Sequence, residues 1–186
     1  MNREKMVERL KTKISAKRFE HSLGVEYTAA CMAYVHGADV EKARIAGLLH
    51  DCAKGLSQKE KLEKAKKHGL PISKYEEKNP DMLHAKLGAW YAKEKYEVDD
   101  KEILSAITWH TTGKPKMSLL DKIIFVADYI EPNRKPVPKL DEIRKLSFTD
   151  LDRAVVMILE NTISYLEESG VDMDDSTKKT YDYYNK

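Results

Sequence analysis

Histidine and aspartate side chains that could bind a metal recur along the chain. His50 and Asp51 are adjacent and directly follow an apolar run. Asp128 lies at the end of another apolar run, where an unpaired buried carboxylate would be costly. Buried imidazoles and carboxylates become favourable when a cation neutralises and orients them. We therefore predict a metal site with the ligands His21, His50, Asp51, His84, His110 and Asp128.

The other two histidines have a simpler explanation. His36 and His68 precede Gly37 and Gly69, which are typical of helix ends. An imidazole near a helix C-terminus interacts favourably with the helix dipole, so no function is predicted for either residue. The remaining four imidazoles favour Fe, Mn, Co or Zn over Mg or Ca, but they do not distinguish among the first four metals.

The elements that hold these residues are predicted to be helices. Gly and Pro are scarce (8 and 6 residues), while 41% of the residues are hydrophobic and 34% are charged. This composition is typical of a helical globular domain. We predict an all-α, bundle-like array of about seven to nine helices in one domain, residues 1–186. The predicted helix caps are Ser15, Asp39, Ser57, Asn79 with Pro80 after it, Asp99 or Asp100, Ser118 and Thr149.

Three details of the predicted helix boundaries concern the site. The helix after Asp39 is predicted to lead into His50-Asp51 and to end before Gly55, which places Lys54 on the same side as His50. Residues 70–79 have no clear apolar period and are predicted to form a loop. The tail is expected to end in a last helical turn.

Charge and composition limit the possible partners. The formal net charge of +2 is too small to indicate nucleic acid, and no apolar run approaches the ~20 residues of a membrane span. The charged N-terminus is unlike a signal peptide, and Cys31 and Cys52 form neither a zinc pattern nor a disulfide framework. We expect a cytoplasmic protein without nucleic-acid or membrane partners. A homodimer stays open, since Trp90 and Tyr91 suit an interface and a core equally well.

Five stretches of the chain carry a family resemblance: Arg18–Ser22, Leu48–Lys54, His84–Ala89, Trp109–Gly113 and Phe125–Arg134. In order and content they resemble the HD-domain phosphohydrolase superfamily and, more narrowly, the YqeK family of HD-domain diadenosine tetraphosphate hydrolases. Many HD proteins share the histidine–aspartate core, whereas the last two stretches are more specific. The family has Arg more often than Lys at position 114, so no phosphate contact is assigned to Lys114.

The resemblance implies two divalent or trivalent transition-metal ions, with iron expected and Mn, Co or Zn possible. His21, His50 and Asp128 would hold one ion, His84 and His110 the other, and Asp51 would bridge them. A water between two cations roughly 3.5–4 Å apart is acidified to hydroxide, which Asp128 would orient. The implied reaction is symmetrical cleavage of diadenosine tetraphosphate to two ADP. The family's tail is thought to cover the nucleotide, which makes 172–177 an edge of the purine pocket.

Cations and hydroxyls near the predicted ligands are candidates for substrate binding. Lys54 and Arg18 each lie one helical turn from a ligand and are predicted to bind phosphate, although both also suit a helix surface. Arg134 is a further phosphate candidate, and Glu131 is predicted to fix a neighbouring His or Arg. The predicted substrate contacts are Arg18, Lys54, Thr111, Arg134 and Thr177, and the predicted catalytic residues are Asp51, Asp128 and Lys54.

Three other functions share these ligands. Another HD nucleotide phosphohydrolase, acting on a nucleoside di- or triphosphate or a phosphomonoester, would differ only in its pocket. A non-catalytic nucleotide sensor would use the metals to anchor its ligand. A di-iron oxygenase would need an O₂-dependent reaction.

Overall fold

The computed structural model describes residues 1–186 and consists of helices, turns and loops without a β-strand. The all-α prediction is confirmed, but the predicted count of seven to nine helices is too low, because the chain forms eleven α-helices. None of them is both long and apolar enough to cross a membrane. The helices are α1 (Arg3–Lys11), α2 (Ala16–His36), α3 (Val40–Leu49), α4 (Gln58–Lys67), α5 (Lys74–Lys78), α6 (Leu83–Tyr96), α7 (Lys101–Trp109), α8 (Leu119–Ile130), α9 (Leu140–Leu146), α10 (Leu151–Glu168) and α11 (Asp175–Tyr184), with a 3₁₀ turn at Pro80–Met82.

Most of the predicted caps are confirmed, but Asn79 precedes the 3₁₀ turn without a side-chain capping hydrogen bond, and α6 starts only after Met82. The side chains of Ser15, Asp39, Ser57 and Ser118 each accept a hydrogen bond from the backbone N–H three residues later. Asp100, rather than Asp99, caps α7. The prediction of Thr149 as the cap of α10 is wrong, because Asp150 accepts from the backbone N–H of Arg153 while the Thr149 hydroxyl donates back to Lys145.

Local capping explains the two helices that apolar periodicity did not predict. The expected loop at 70–79 contains α5, where Ser73 and Glu76 form a reciprocal capping box. A helix of five residues is too short to show an apolar period. The tail forms the ten-residue helix α11, capped by Asp174, rather than a single turn.

The segment that carries the histidine–aspartate pair is a turn rather than a helix. α3 ends at Leu49, and residues from His50 to Gly55 form successive turns. The predicted position of Gly55, just past a helix end, implied a left-handed conformation. The structure differs, because Gly55 has no positive φ and does not end a helix. A Cβ atom at Gly55 would lie 2.2 Å from the carbonyl oxygen of Lys13, so the glycine allows the turn to approach the end of α1.

The core lies where α2, α3, α7 and α8 pack against one another, and α6 packs against α7. Leu48, Leu49, Ile107 and Ile123 are fully buried there. Gly47 lets α3 lie directly on α2, because a Cβ atom at this position would be 2.9 Å from the Cα of Glu26. This close approach brings the C-terminal end of α3 to the face of α2 that carries His21.

Candidate metal centre

The six predicted ligands meet at the centre of the bundle. His21 projects from α2 and Asp128 from α8, while His50 is the C-terminal cap of α3 and Asp51 follows it. His84 lies in the first turn of α6, and His110 is the C-terminal cap of α7. His50, Asp51, His84 and His110 are all buried. Five elements that are far apart in sequence thus supply one cluster.

The Asp51 carboxylate divides its two oxygens between two groups of imidazoles. Oδ1 lies 3.3 Å from Nε2 of His84 and 3.7 Å from Nε2 of His110. Oδ2 lies 3.5 Å from Nε2 of His50 and 4.0 Å from Nε2 of His21. Asp51 therefore occupies the position between the two groups.

Asp128 completes the group on the α2 side. Its Oδ1 lies 2.9 Å from Nε2 of His21 and 3.6 Å from Nε2 of His50. The two imidazole nitrogens are themselves 3.2 Å apart. On the other side of Asp51, the Nε2 atoms of His84 and His110 are also 3.2 Å apart. Each pair of facing nitrogens leaves a place for a positive charge.

Hydrogen bonds at Nδ1 orient these rings. Nδ1 of His50 lies 2.7 Å from the carbonyl oxygen of Gly47, and Nδ1 of His110 lies 2.7 Å from that of Ile107. Nδ1 of His84 contacts the carbonyl oxygen of Asp81, and Nδ1 of His21 lies 3.2 Å from Oε1 of Glu131. Carbonyl and carboxylate oxygens can only accept, so each Nδ1 carries a proton, and each Nε2 faces the cluster, where it can bind a metal when it is unprotonated.

This donor set fits transition-metal ions. Three overlapping groups each bring their donor atoms within 4.8 Å of one another: His21, His50 and Asp51; His50, His110 and Asp128; and Asp51, His84 and His110. Oδ1 of Asp51 is buried and has no hydrogen-bond partner, which would be costly without a cation. Imidazole nitrogens together with carboxylate oxygens suit Fe, Mn, Co or Zn.

The pKa shifts point in the same direction. Burial opposes a charge on His50, but the carboxylates of Asp51 and Asp128 outweigh it and raise the pKa of His50 to about 10. Burial would raise the pKa of Asp51, yet His50 and His110 hold it well below its usual range. Burial lowers the pKa of His84 to about 3, so this ring is neutral and can act as a ligand. The position between the carboxylates therefore attracts a proton or another cation.

Arg18 and Lys54, both predicted phosphate contacts, lie at the edge of the cluster. Nη1 of Arg18 lies 2.7 Å from Oδ2 of Asp51, and the side chain is partly exposed. Nζ of Lys54 lies 3.3 Å from both ring nitrogens of His84, and burial lowers its pKa. Both cations can therefore reach a ligand at the metals, although Lys54 reaches it from the turn after α3 and not from a helix.

Two cavities are lined by a residue of the cluster or by its neighbours in the chain. The first, of about 630 Å³, is bounded by α5, the starts of α6 and α11, and the end of α7. Thr111, a predicted substrate contact, lines it, and so does Trp109. The second cavity, of about 620 Å³, is bounded by Arg18 and His21 on one side and by Glu131 and Arg134 on the other. We call them the tail cavity and the basic groove.

Some predicted contacts lie elsewhere. Thr177 is only 4% exposed and does not line the tail cavity, whereas the neighbouring residues 172–176 do. Lys114 bonds to Ser105 and pairs with Asp121 at 3.0 Å, so it is engaged within the fold. His36 contacts the carbonyl oxygen of Ser147, and His68 stacks on Trp90, which agrees with the structural roles expected for both.

Sequence reasoning did not identify one wall of the tail cavity. Tyr75 and Lys86 line it, and Lys86 pairs with Glu76 at 2.7 Å. Tyr75 was missed because α5 was predicted to be a loop, whereas Lys86 lies on the predicted helix α6 and was not singled out there. The Ser73-x-x-Glu76 capping box is the signal that would have indicated the helix.

An all-helical fold with a central histidine–aspartate cluster defines the class of this protein. The HD-domain family model matches residues 18–133, so the chain belongs to the HD-domain family. Relatives that match over nearly the whole chain include symmetrical bis(5′-nucleosyl)-tetraphosphatases. The chain is 40% identical to the one from Halalkalibacterium halodurans over 97% of its own length and 96% of the relative's. It is 39% identical to the one from Bacillus subtilis, with 98% and 97% covered.

A solved structure supports the same assignment. A crystal structure of a predicted HD superfamily hydrolase involved in NAD metabolism, from Clostridium acetobutylicum, superimposes with a TM-score of 0.96 at 39% identity. The match covers 100% of this chain and 97% of the other. The resemblance that the sequence motifs indicated is therefore confirmed along the whole chain.

Proposed function

We propose that the protein hydrolyses diadenosine tetraphosphate symmetrically to two ADP at a two-metal centre. The observation that carries the proposal is the position of Asp51, whose two oxygens face two separate imidazole groups. The names of the relatives supply the substrate class, because they are symmetrical bis(5′-nucleosyl)-tetraphosphatases. Nothing in the geometry favours the sensor, the oxygenase or another phosphohydrolase.

The six ligands would hold two ions. His21, His50 and Asp128 would bind the first, His84 and His110 the second, and Asp51 would bind both. We propose iron for this centre, since the donor set suits the metals of that class. When bound, the metals supply an acidified water and positive charge opposite the phosphate oxygens.

The chain's own residues would orient and neutralise the polyphosphate. Arg18 and Lys54 lie beside Asp51 and His84, where they can donate charge-assisted hydrogen bonds to phosphate oxygens. Arg134 lies over the ring of Tyr129, with its guanidinium 4.8 Å from the ring centre, at the wall of the basic groove. Because ADP is stable as an anion, its departure needs these cations rather than a proton donor.

Asp128 would orient the attacking water. Its side chain is 26% exposed, and one oxygen contacts His21, so the carboxylate can also accept a hydrogen bond from a water at the centre. The water oxygen bonds to phosphorus, the phosphoanhydride P–O bond breaks, and one proton is released to solvent.

The tail cavity would hold one adenosine half. Trp109, Tyr75 and Met82 give this cavity rings and a flexible thioether for a purine, and Thr111 adds a hydroxyl. The backbone of 172–176 closes the cavity from the side of α11. We assign the nucleotide edge to this segment rather than to the buried Thr177. The whole chain, 1–186, would thus act as one HD domain.

Product analysis tests the proposal. The metal-loaded protein is incubated with diadenosine tetraphosphate, and the nucleotides are separated by ion-exchange chromatography. The proposal predicts two ADP for each substrate consumed, with no ATP or AMP. Equal amounts of ATP and AMP would show asymmetric cleavage and would refute it. The cytoplasmic location and the possible homodimer stay predictions from the sequence.

A further inference from the structure

We propose that the protein has a second nucleoside-phosphate site, separate from the metal centre. A third cavity, of about 460 Å³, lies between the end of α1, the turn after His50, α4 and α6. We call it the distal pocket. Its size falls in the range of small-molecule sites, roughly 300–1,000 Å³. It is lined by Arg9, Lys13, Cys52, Leu56, Lys64, Tyr91, Lys95 and Tyr96.

Charge is the first indication of a ligand. The lining contains four cations and no carboxylate. Arg9, Lys13 and Lys95 are exposed, and Lys64 is half-buried. None of the distal-pocket cations makes an ion pair, and Arg9 donates only to the backbone carbonyl of Lys95. Four converging positive charges without a counter-charge favour an anionic ligand.

The tyrosines are the second, independent indication. Tyr96 is only 2% exposed, yet its hydroxyl makes no hydrogen bond within the protein. The hydroxyl oxygen itself keeps some exposure, so a ligand in the pocket can accept a hydrogen bond from it. Burial raises the pKa of Tyr96, so its hydroxyl stays protonated and can donate. Tyr91 adds a second half-buried ring whose hydroxyl is also unpaired.

Rings, an apolar floor and cations together define the class of ligand. Leu56 and the buried Cys52 form the apolar part of the lining. The half-buried Tyr91 ring and the arginine can accept the flat face of a base, while lysines bind phosphate oxygens. A nucleoside phosphate combines both requirements in one molecule of the right size.

The distal pocket is distinct from the proposed active site. The two share the turn after α3, which gives Asp51 to the metal cluster and Cys52 to the pocket, and α6, which gives His84 to the cluster and Tyr91 and Tyr96 to the pocket. The Cys52 thiol donates to the carbonyl oxygen of Gly88, and burial raises its pKa, so it serves as packing here. No residue that lines the distal pocket lines the tail cavity or the basic groove.

ADP titration by isothermal calorimetry tests the proposal on the metal-loaded protein. The variant Lys13→Glu/Lys64→Glu reverses two charges of the pocket. The control Lys59→Glu/Lys66→Glu makes the same charge change at exposed positions on α4, outside the pocket. We expect the pocket variant to bind one ADP per chain fewer than the wild type, and the control to bind as many as the wild type. Each reversed charge should weaken binding about tenfold, as expected for a unit charge near a protein surface.

Two results would overturn the proposal: equal stoichiometry in wild type and pocket variant, or the same loss in the control. Since the readout is the difference between proteins, it does not depend on what the metal centre hydrolyses. If the double variant fails to fold, as judged by circular dichroism, Lys64→Ala replaces it. That variant should weaken one class of ADP sites about tenfold, and an unchanged isotherm would contradict the proposal.

Discussion

Gly47 provides a sharp test of how the fold positions the metal centre. A Cβ atom at Gly47 would lie 2.9 Å from the Cα and 3.0 Å from the N of Glu26, and 3.1 Å from the carbonyl oxygen of Val25. All three are backbone atoms, so α2 cannot relieve the clash by rotating a side chain. Overpacking of this kind costs about 1–3 kcal/mol, whereas Ala improves helix propensity by roughly 0.5–1 kcal/mol. Gly47→Ala should therefore lower the free energy of unfolding by about 1–2 kcal/mol.

Thermal and urea denaturation of the metal-free protein measure this change. For a chain of this size, 1 kcal/mol corresponds to a shift of roughly 2–4 °C in Tm, so we expect a decrease of about 2–8 °C. Because α3 carries His50 at its end, the same displacement should also weaken metal binding. Gly47→Ser should be at least as destabilising as Gly47→Ala. A Gly47→Ala protein more stable than wild type would show that the gain in helix propensity outweighs the steric clash. The close approach of α2 and α3 would then not be required for stability.

Four further predictions concern the site itself. Asp51→Asn should abolish binding of both metals, measured by elemental analysis after gel filtration, whereas a variant that retained two ions would refute the bridging role. Lys54→Ala should keep the full metal content and lower kcat/KM about 10- to 150-fold, the effect of one charge-assisted hydrogen bond; unchanged kinetics would leave Lys54 as a surface residue. Glu131→Gln should weaken the binding of the ion next to His21 by about tenfold, because Glu131 orients the His21 ring. A metal titration measures this affinity, and equal affinity in the variant and the wild type would contradict the prediction. The pKa of His50 is raised to about 10, so this ring is protonated in the metal-free form at neutral pH, and the stabilisation from its charge is lost as the pH rises through 10. Metal binding should therefore release protons at pH 7, which calorimetry in two buffers detects. The absence of proton release would show that His50 is already neutral.

The cluster of histidines and aspartates could be predicted from the sequence because most of its members were anomalous in their local context. Asp128 stands on an apolar helix, and the pair His50-Asp51 follows an apolar run. Isolated ionisable groups in apolar segments need a partner, and a shared partner is the simplest solution. Capping residues fixed most helix starts for a similar reason, since each satisfies backbone groups within its own few residues.

The walls of the cavities could not be predicted in the same way. α5 is held by a local capping box and by tertiary packing, so it lacks the apolar period on which helix prediction depends. Thr177 was selected by position in the tail, but the face that α11 presents depends on its packing against α10. The turn after α3 was wrongly predicted to be helical. Its shape depends on the close contact between Gly55 and Lys13, and these residues are too far apart in sequence for a local pattern to reveal it.

Anomalous scattering from a crystal of the metal-loaded protein tests the central claim most directly. Data collected on both sides of the Fe, Mn, Co and Zn absorption edges would give the number, identity and ligands of the ions. We predict two peaks, one beside His21, His50 and Asp128 and one beside His84 and His110, with one oxygen of Asp51 on each. A single ion, or an Asp51 carboxylate that contacts only one of two ions, would contradict the two-metal centre.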